Sequence, residues 1–224
     1  MKNIAIILFG GNSTRFKNEV LKQFYIVNDK PLCFYSLQPF LKSNNIDLLI
    51  IVTNNAYHDI FKKYLKDKPY YFVENGEQRF DSVDNALKFL KENRLADDDD
   101  NVLIHDGARP LVEEKNIVDL LDALKTYKAA TMAIKLEDTI AKVENGIVVE
   151  VPNRNEYVRI QTPQAFKFKT IFDNHIEKKH LVSDDTQLVL KSKEKIKIVE
   201  GNKKLYKITT VEDINYLKAM LKNE

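Results

Sequence analysis

The sequence predicts an α/β fold with a mainly parallel sheet packed between helices. Two observations carry that expectation. Short apolar runs rich in Ile, Val, Leu and aromatics alternate with longer stretches whose apolar residues recur at three- and four-residue spacing. The polar clusters fall directly after predicted strands, and sheets of this kind place their ligands outside the carboxyl ends of the strands.

Taken in order, Ile4–Phe9 reads as the first buried strand. Pro31 is well placed to open a helix over Leu32–Leu41, because its fixed φ suits the first turn and its missing N–H has no partner there. Strands at Leu48–Val52, Tyr70–Val73, Val102–Ile104 and Ala130–Ile134 are separated by helices at Tyr57–Leu65, Ser82–Leu90 and Ile117–Leu124. The pattern then changes. Thr139–Val151 alternates as two strands joined by Asn145-Gly146, a dipeptide that favours a tight hairpin turn. The apolar residues of such an arm either dock on a second copy or fold back on their own domain. Helices at Phe168–Glu177 and Asp184–Leu190, strands at Ile196–Val199 and Leu205–Ile208, and a helix at Val211–Leu221 complete the order. No repeat or linker intervenes, so residues 1–224 are expected to form one domain with an arm at about 138–153.

Composition excludes several classes. Hydrophobic residues make up 44% and charged residues 30%, which is globular and not disordered. The 35 Lys+Arg against 33 Asp+Glu leave a net charge of +2, with no basic excess to suggest nucleic acid. Cys33 is alone, which precludes an internal disulfide and suits a reducing cytoplasm. Nothing approaches the ~20 apolar residues of a membrane span. The apolar run behind Lys2 is short and lacks a small-residue cleavage pattern, so a soluble cytoplasmic protein is expected.

Chemistry concentrates in five clusters. Gly10-Gly11 and the polar residues up to Arg15 follow the first strand, with Lys22-Gln23-Phe24 beyond. Adjacent glycines let backbone N–H groups approach an anion, and the two cations suit a triphosphate. The segment is neither a P-loop nor a dinucleotide fingerprint, and a turn with two solvated cations is the lesser alternative. Gly76-Glu77-Gln78-Arg79 leads into a helix, with Ser82 placed to hold a base or ribose or simply to cap. His105-Asp106-Gly107-Ala108-Arg109-Pro110 follows a strand. Asp106 is a natural hard ligand for Mg²⁺, Arg109 can pair with an anion, and His105 is either a general base or a packed strand-end residue. The last two are Arg154 to Phe166 and Lys207-Ile208-Thr209-Thr210. The acidic run Asp97–Asp100 is read as a solvated loop in preference to a metal site.

These motifs, in this order and over residues 4 to about 214, resemble the 2-C-methyl-D-erythritol 4-phosphate cytidylyltransferase family. They are Gly-Gly-x-x-x-Arg with Lys-Gln-Phe, Gly76-x-x-Arg-x-Asp-Ser, His-Asp-Gly-Ala-Arg-Pro, Asp138-Thr139, Arg154 with Gln-Thr-Pro-Gln, and Lys207-Ile-Thr. Two stretches depart from the pattern: Leu8-Phe9-Gly10-Gly11 stands for Pro-Ala-Ala-Gly, and Leu205-Tyr206 for Asn-Ile. The resemblance implies a Rossmann-like nucleotidyltransferase that moves CMP from CTP to a polyol phosphate, with Mg²⁺ or another divalent cation, and dimerises through the β-arm. The near relative ribitol-5-phosphate cytidylyltransferase is the alternative acceptor reading, and a non-catalytic nucleotide-binding protein the alternative of another class. By the same resemblance, Arg15, Lys22, Arg154 and Lys207 are catalytic. Phe9, Gly10, Gly11, Arg15, Lys22, Gly76, Glu77, Arg79, Ser82, Asp106 and Gly107 bind CTP. Asp106 also holds the metal and, with Arg109, Thr139, Arg154, Thr162 and Lys207, the acceptor.

Overall fold

The computed structural model describes every residue except 12–15, 17–19, 66–67, 178–181 and 223–224. Its elements begin with β1 (Asn3–Leu8), a small hairpin of β2 (Ile26–Val27) and β3 (Lys30–Pro31), and α1 (Leu32–Lys42). There follow β4 (Leu48–Val52), α2 (His58–Lys62), β5 (Tyr70–Val73), α3 (Arg79–Glu92), β6 (Asn101–Asp106), α4 (Glu114–Ala123) and β7 (Ala129–Lys135). Next come β8 (Lys142–Glu144), β9 (Ile147–Glu150), β10 (Val158–Lys167), α5 (Phe168–Glu177), α6 (Thr186–Lys191), β11 (Ile196–Glu200) and α7 (Glu212–Leu221).

Seven strands form one sheet in the order β11-β7-β10-β6-β1-β4-β5. All its ladders are parallel except those of β10, which runs antiparallel to both β6 and β7. The period-two pleat of β1 feeds two cores. Ala5 and Ile7, with Phe9 beyond, face Leu37 and Phe40 of α1 and Ile117 and Leu120 of α4. Ile4, Ile6 and Leu8 face Val83, Leu87 and Leu90 of α3 and Phe168 and Ile171 of α5. Each of the larger side chains among them contributes roughly 1.5–3 kcal/mol by leaving water. A third cluster seats Ile214 and Leu217 of α7 on Phe16, Val27, Leu32 and Ile208.

Two expectations change. Leu205–Ile208 is not a strand: a 3-10 turn at Lys203–Leu205 leads into backbone that pairs outside the sheet. Ile208 N–H donates to the Ala108 carbonyl at 2.8 Å, and the Leu205 and Ile208 carbonyls accept from Arg109 and Lys22. Conversely, β10 runs through residues that carried no strand expectation. The hairpin does form, with Asn145 (φ 51°) and Gly146 (φ 80°) both left-handed at its turn, and β8 and β9 are exposed along their whole length. Asp97–Asp100 is a turn; Asp100 is buried and accepts the Lys2 N–H at 2.6 Å.

Candidate active site

A cleft opens at the carboxyl ends of β1 and β6, where the strand order reverses from one side of β1 to the other. Its floor is Leu8, Phe9, Gly10 and Gly11 at the end of β1, faced by Asp106, Gly107 and Ala108 at the end of β6. Gly76 to Arg79 and Ser82 form one wall, and Lys22, Gln23, Lys207 and Thr209 the other. Four segments far apart in sequence therefore meet around one opening.

Close approach explains the glycines. A Cβ on Gly10 would stand 2.5 Å from Asn75 Cβ, and one on Gly107 2.3 Å from Phe9 Cδ1. Gly11 has φ +119°, a conformation that L side chains rarely adopt. The Phe9 ring is buried and packs on Phe61 with centroids 4.8 Å apart, so it supports the floor from below. Its carbonyl accepts the Gln23 amide at 2.9 Å, fixing the turn that carries Lys22.

The wall follows from the start of α3. Gln78 is the N-cap, in a reciprocal box with Asp81. Ser82 is not the cap: its hydroxyl accepts Gly76 N–H and donates to the Gln78 carbonyl, both at 3.1 Å, holding the loop against the helix.

Asp106 is the electrostatic centre. Arg79 Nε lies 2.9 Å from its Oδ1, Lys207 Nζ 2.8 Å from Oδ2, and Arg109 Nε 3.9 Å from Oδ2. Burial alone would raise this carboxyl, but Arg79, Lys207 and Arg109 more than reverse it and hold it well below the usual carboxylate range. Burial opposes the charge on Arg79 too, and Asp185 and Asp106 outweigh it, so the guanidinium is held more firmly protonated than usual.

His105 is fully buried, and burial pushes its imidazole down to about 3. Thr162 Oγ1 accepts Asp106 N–H at 3.1 Å and stands 3.1 Å from His105 Nδ1. A neutral ring with its proton on Nε2 completes the chain, donating to the Arg109 carbonyl at 3.0 Å. His105 is thus a packed strand-end residue.

The structure brings together Phe9, Gly10, Gly11, Lys22, Gly76, Glu77, Arg79, Ser82, Asp106, Gly107 and Lys207. Arg15 lies outside the described residues. Arg109 and Thr162 sit behind the cleft: Arg109 Nη1 donates to the Leu205 carbonyl at 2.6 Å, and the Thr162 hydroxyl is engaged as above. Thr139 and Arg154 are exposed at the base of the arm and do not line the cleft, and Arg154 Nη1 donates to the Glu137 carbonyl. Gln23, Gln78 and Thr209 also line the cleft; they stood inside the quoted motifs without being singled out. Asp185 pairs with Arg79 at 2.7 Å and was read only as part of a helix start.

No group of three or more His, Cys, Asp or Glu side chains suited to a metal occurs among the described residues. The cleft offers the hard oxygens of Asp106, each of which keeps a lone pair beyond its cationic partner. One carboxylate fits a Mg²⁺ that takes its remaining ligands from phosphate and water.

A family model described as "IspD: 2-C-methyl-D-erythritol 4-phosphate cytidylyltransferase" matches residues 3–223. A 2-C-methyl-D-erythritol 4-phosphate cytidylyltransferase of Thermosipho africanus is 41% identical over 221 residues, covering 96% of each chain. Among solved structures, 4-diphosphocytidyl-2C-methyl-D-erythritol synthase from Anaerococcus prevotii superposes with a TM-score of 0.84 at 30% identity, covering 99% of this chain and 98% of that one. The bifunctional IspDF of Campylobacter jejuni superposes with a TM-score of 0.79 at 28% identity, over 96% of this chain but 54% of that chain.

Proposed function

Because the chain belongs to the 2-C-methyl-D-erythritol 4-phosphate cytidylyltransferase family, we propose that the cleft between β1 and β6 is where it carries out that family's reaction. The protein transfers CMP from CTP to 2-C-methyl-D-erythritol 4-phosphate, a step of isoprenoid precursor biosynthesis. A phosphate oxygen of the acceptor attacks the α-phosphorus of CTP. The new P–O bond forms as the bond to the β-phosphate oxygen breaks, and pyrophosphate leaves. The acceptor phosphate is already ionised at neutral pH, so no general base is required, and catalysis rests on positioning and charge. The deeply buried, neutral His105 is in keeping with that.

The carrying observation is convergence: ten residues expected to bind CTP line one cleft with Lys207. Phe9, Gly10, Gly11, Gly76, Glu77 and Ser82 hold the base and ribose through a backbone floor and a rigid loop. Lys22, with Arg15, takes the triphosphate and offsets the charge that grows on the α-phosphoryl group. Asp106 holds a divalent cation, most simply Mg²⁺, which when bound would neutralise phosphate charge. Lys207 and Arg79 keep that carboxylate ionised until it does. Arg109 and Thr162 act on the acceptor side by holding the Asp106 loop and the Leu205–Lys207 backbone.

Thr139 and Arg154 reach an acceptor in a homodimer formed through the β-arm. An isolated two-stranded hairpin is marginal in water. Here Val143, Ile147, Val148, Val149 and Val151 are 48–68% exposed, and Tyr157 and Ile160 extend the apolar surface onto β10. No helix among the described residues is long and apolar enough to cross a membrane, and with the single Cys33 this supports a cytoplasmic location. The experiment is pyrophosphate release from CTP and Mg²⁺, with 2-C-methyl-D-erythritol 4-phosphate and ribitol 5-phosphate compared side by side. Release with the first acceptor is expected; release with neither would overturn the assignment.

A further inference from the structure

Arg79 stands between two carboxylates, only one of which belongs to the cleft. Its Nε donates to Asp106 Oδ1 at 2.9 Å and its Nη1 to Asp185 Oδ2 at 2.7 Å. Asp185 is 1% exposed and lies just before α6. Its other oxygen receives His175 Nε2 from α5 at 3.1 Å, and the His175 ring stacks on Phe80 with centroids 4.6 Å apart. The preceding residue, Asp184, is gripped by the Gln164 amide of β10 at 3.0 and 2.8 Å. A buried carboxylate is costly to maintain, and this one is fixed from two sides.

A guanidinium beside a carboxylate commonly closes on it with two parallel N–H bonds. The edge of Arg79 that faces Asp106 carries Nε and Nη2, yet Nη2 is buried without a hydrogen-bond partner among the described residues. With Nη1 bonded to Asp185, Asp106 receives a single bond from Arg79. Resting on the reading of Asp106 as the residue that holds the divalent cation, we propose that Asp185 is a positioning residue. It keeps Arg79 from closing on Asp106 and so leaves the Asp106 oxygens able to take the cation that enters with CTP.

The test is calorimetric titration of CTP with excess Mg²⁺ and again with EDTA, on the wild-type protein, Asp185→Asn and Asp185→Glu. In the wild type Mg²⁺ tightens CTP. In Asp185→Asn that tightening should shrink about tenfold, the scale typical of residues that orient a metal ligand, while the EDTA affinity stays put. Asp185→Glu should recover part of it. Tightening by Mg²⁺ that is as large in Asp185→Asn as in the wild type would overturn the proposal. So would equal weakening in both arms, which is what general loosening produces. If Mg²⁺ has no effect on the wild type, the Asp106 reading itself falls and takes this proposal with it. Should Asp185→Asn not fold, as judged by circular dichroism, His175→Phe removes the donor to Asp185 and must shift the same ratio in the same direction.

Discussion

The ring of Phe9 lies so close beneath Gly107 that a Cβ at position 107 would stand 2.3 Å from Phe9 Cδ1 and 2.4 Å from Cε1. The loop cannot retreat easily. Gly107 N–H donates to the Leu8 carbonyl at 2.9 Å, and the Gly107 carbonyl accepts the Ser36 hydroxyl at 2.6 Å. Gly107→Ala should therefore displace the cleft floor and weaken CTP binding by about tenfold or more. Phe9→Ala alone should cost about 3–5 kcal/mol of stability, because it opens a cavity in the core. The double variant should regain part of the CTP affinity lost by Gly107→Ala, since the added methyl enters vacated space. Strictly additive losses in calorimetry would contradict the contact.

Lys22 lines the cleft and donates to the Ile208 carbonyl at 2.8 Å, which holds its ammonium beside the Lys207 segment. Its charge matters most where phosphoryl charge grows. Lys22→Ala should lower kcat about 100-fold or more while weakening CTP by less than about tenfold. A variant with unchanged kcat and only a raised KM would contradict that role.

Thr162 ties β10 to the Asp106 loop by accepting Asp106 N–H and meeting His105 Nδ1, each at 3.1 Å. Thr162→Val leaves two buried groups unpaired, which costs about 1–3 kcal/mol. It should lower both Tm and kcat, and Thr162→Ser should restore both. Failure of the serine variant to restore activity would remove the hydroxyl from the account.

How much of this was legible in the sequence depended on what each segment buries. β4 is apolar and buried throughout, and β1 and β6 hold buried apolar runs at Ile4–Leu8 and Val102–Ile104, so each announces itself in the sequence. β10 hid because its buried stretch contains Gln161, Thr162, Pro163 and Gln164. The Gln161 and Gln164 amide N–H groups and the Thr162 hydroxyl are engaged by the 202–205 turn, Asp184 and the Asp106 loop, partners invisible along the chain. Its ladder with β7 shifts register between Gln161 and Gln164, which accommodates Pro163. The reverse error at Leu205–Ile208 has the same root, since that backbone pairs with Arg109 and Lys22 side chains instead of a strand. Motif residues at the cleft could be found by type and spacing. Asp185 could not, because nothing local distinguishes a carboxylate that holds a distant arginine from one that opens a helix.

Stability should fall in mild acid through His105. Its ordinary pKa near 6.5 is pushed down to about 3 by burial, with Asp106 working against that shift. Below about pH 6.5 the unfolded chain takes up a proton that the native state refuses until about pH 3. The contribution is thus complete above 6.5 and is lost as pH falls, at a slope approaching ~1.4 kcal/mol per pH unit. His105→Gln keeps a donor and an acceptor without the titration. Its unfolding free energy should change less than the wild type's between about pH 4.5 and 6.5 in denaturant melts. Equal slopes in the two proteins would mean that the imidazole takes up its proton in the native state as readily as in the unfolded chain.

The exposed arm gives the most direct test of a shared site. Arg154 is exposed at the foot of the hairpin, while Lys22 lines the cleft of its own chain. If each acceptor site combines one chain's cleft with the other's arm, Arg154→Ala and Lys22→Ala damage opposite halves of it. Each variant alone should be nearly inactive. Mixed and re-equilibrated in equal amounts, half the dimers are heterodimers, and each of those holds one site free of both substitutions. Activity should then recover to about one quarter of the wild-type level. Val148→Asp, which puts a charge on the apolar hairpin, should abolish the recovery and give a monomer in sedimentation velocity. A mixture that stays inactive while remaining dimeric would instead place Arg154 in its own chain's site.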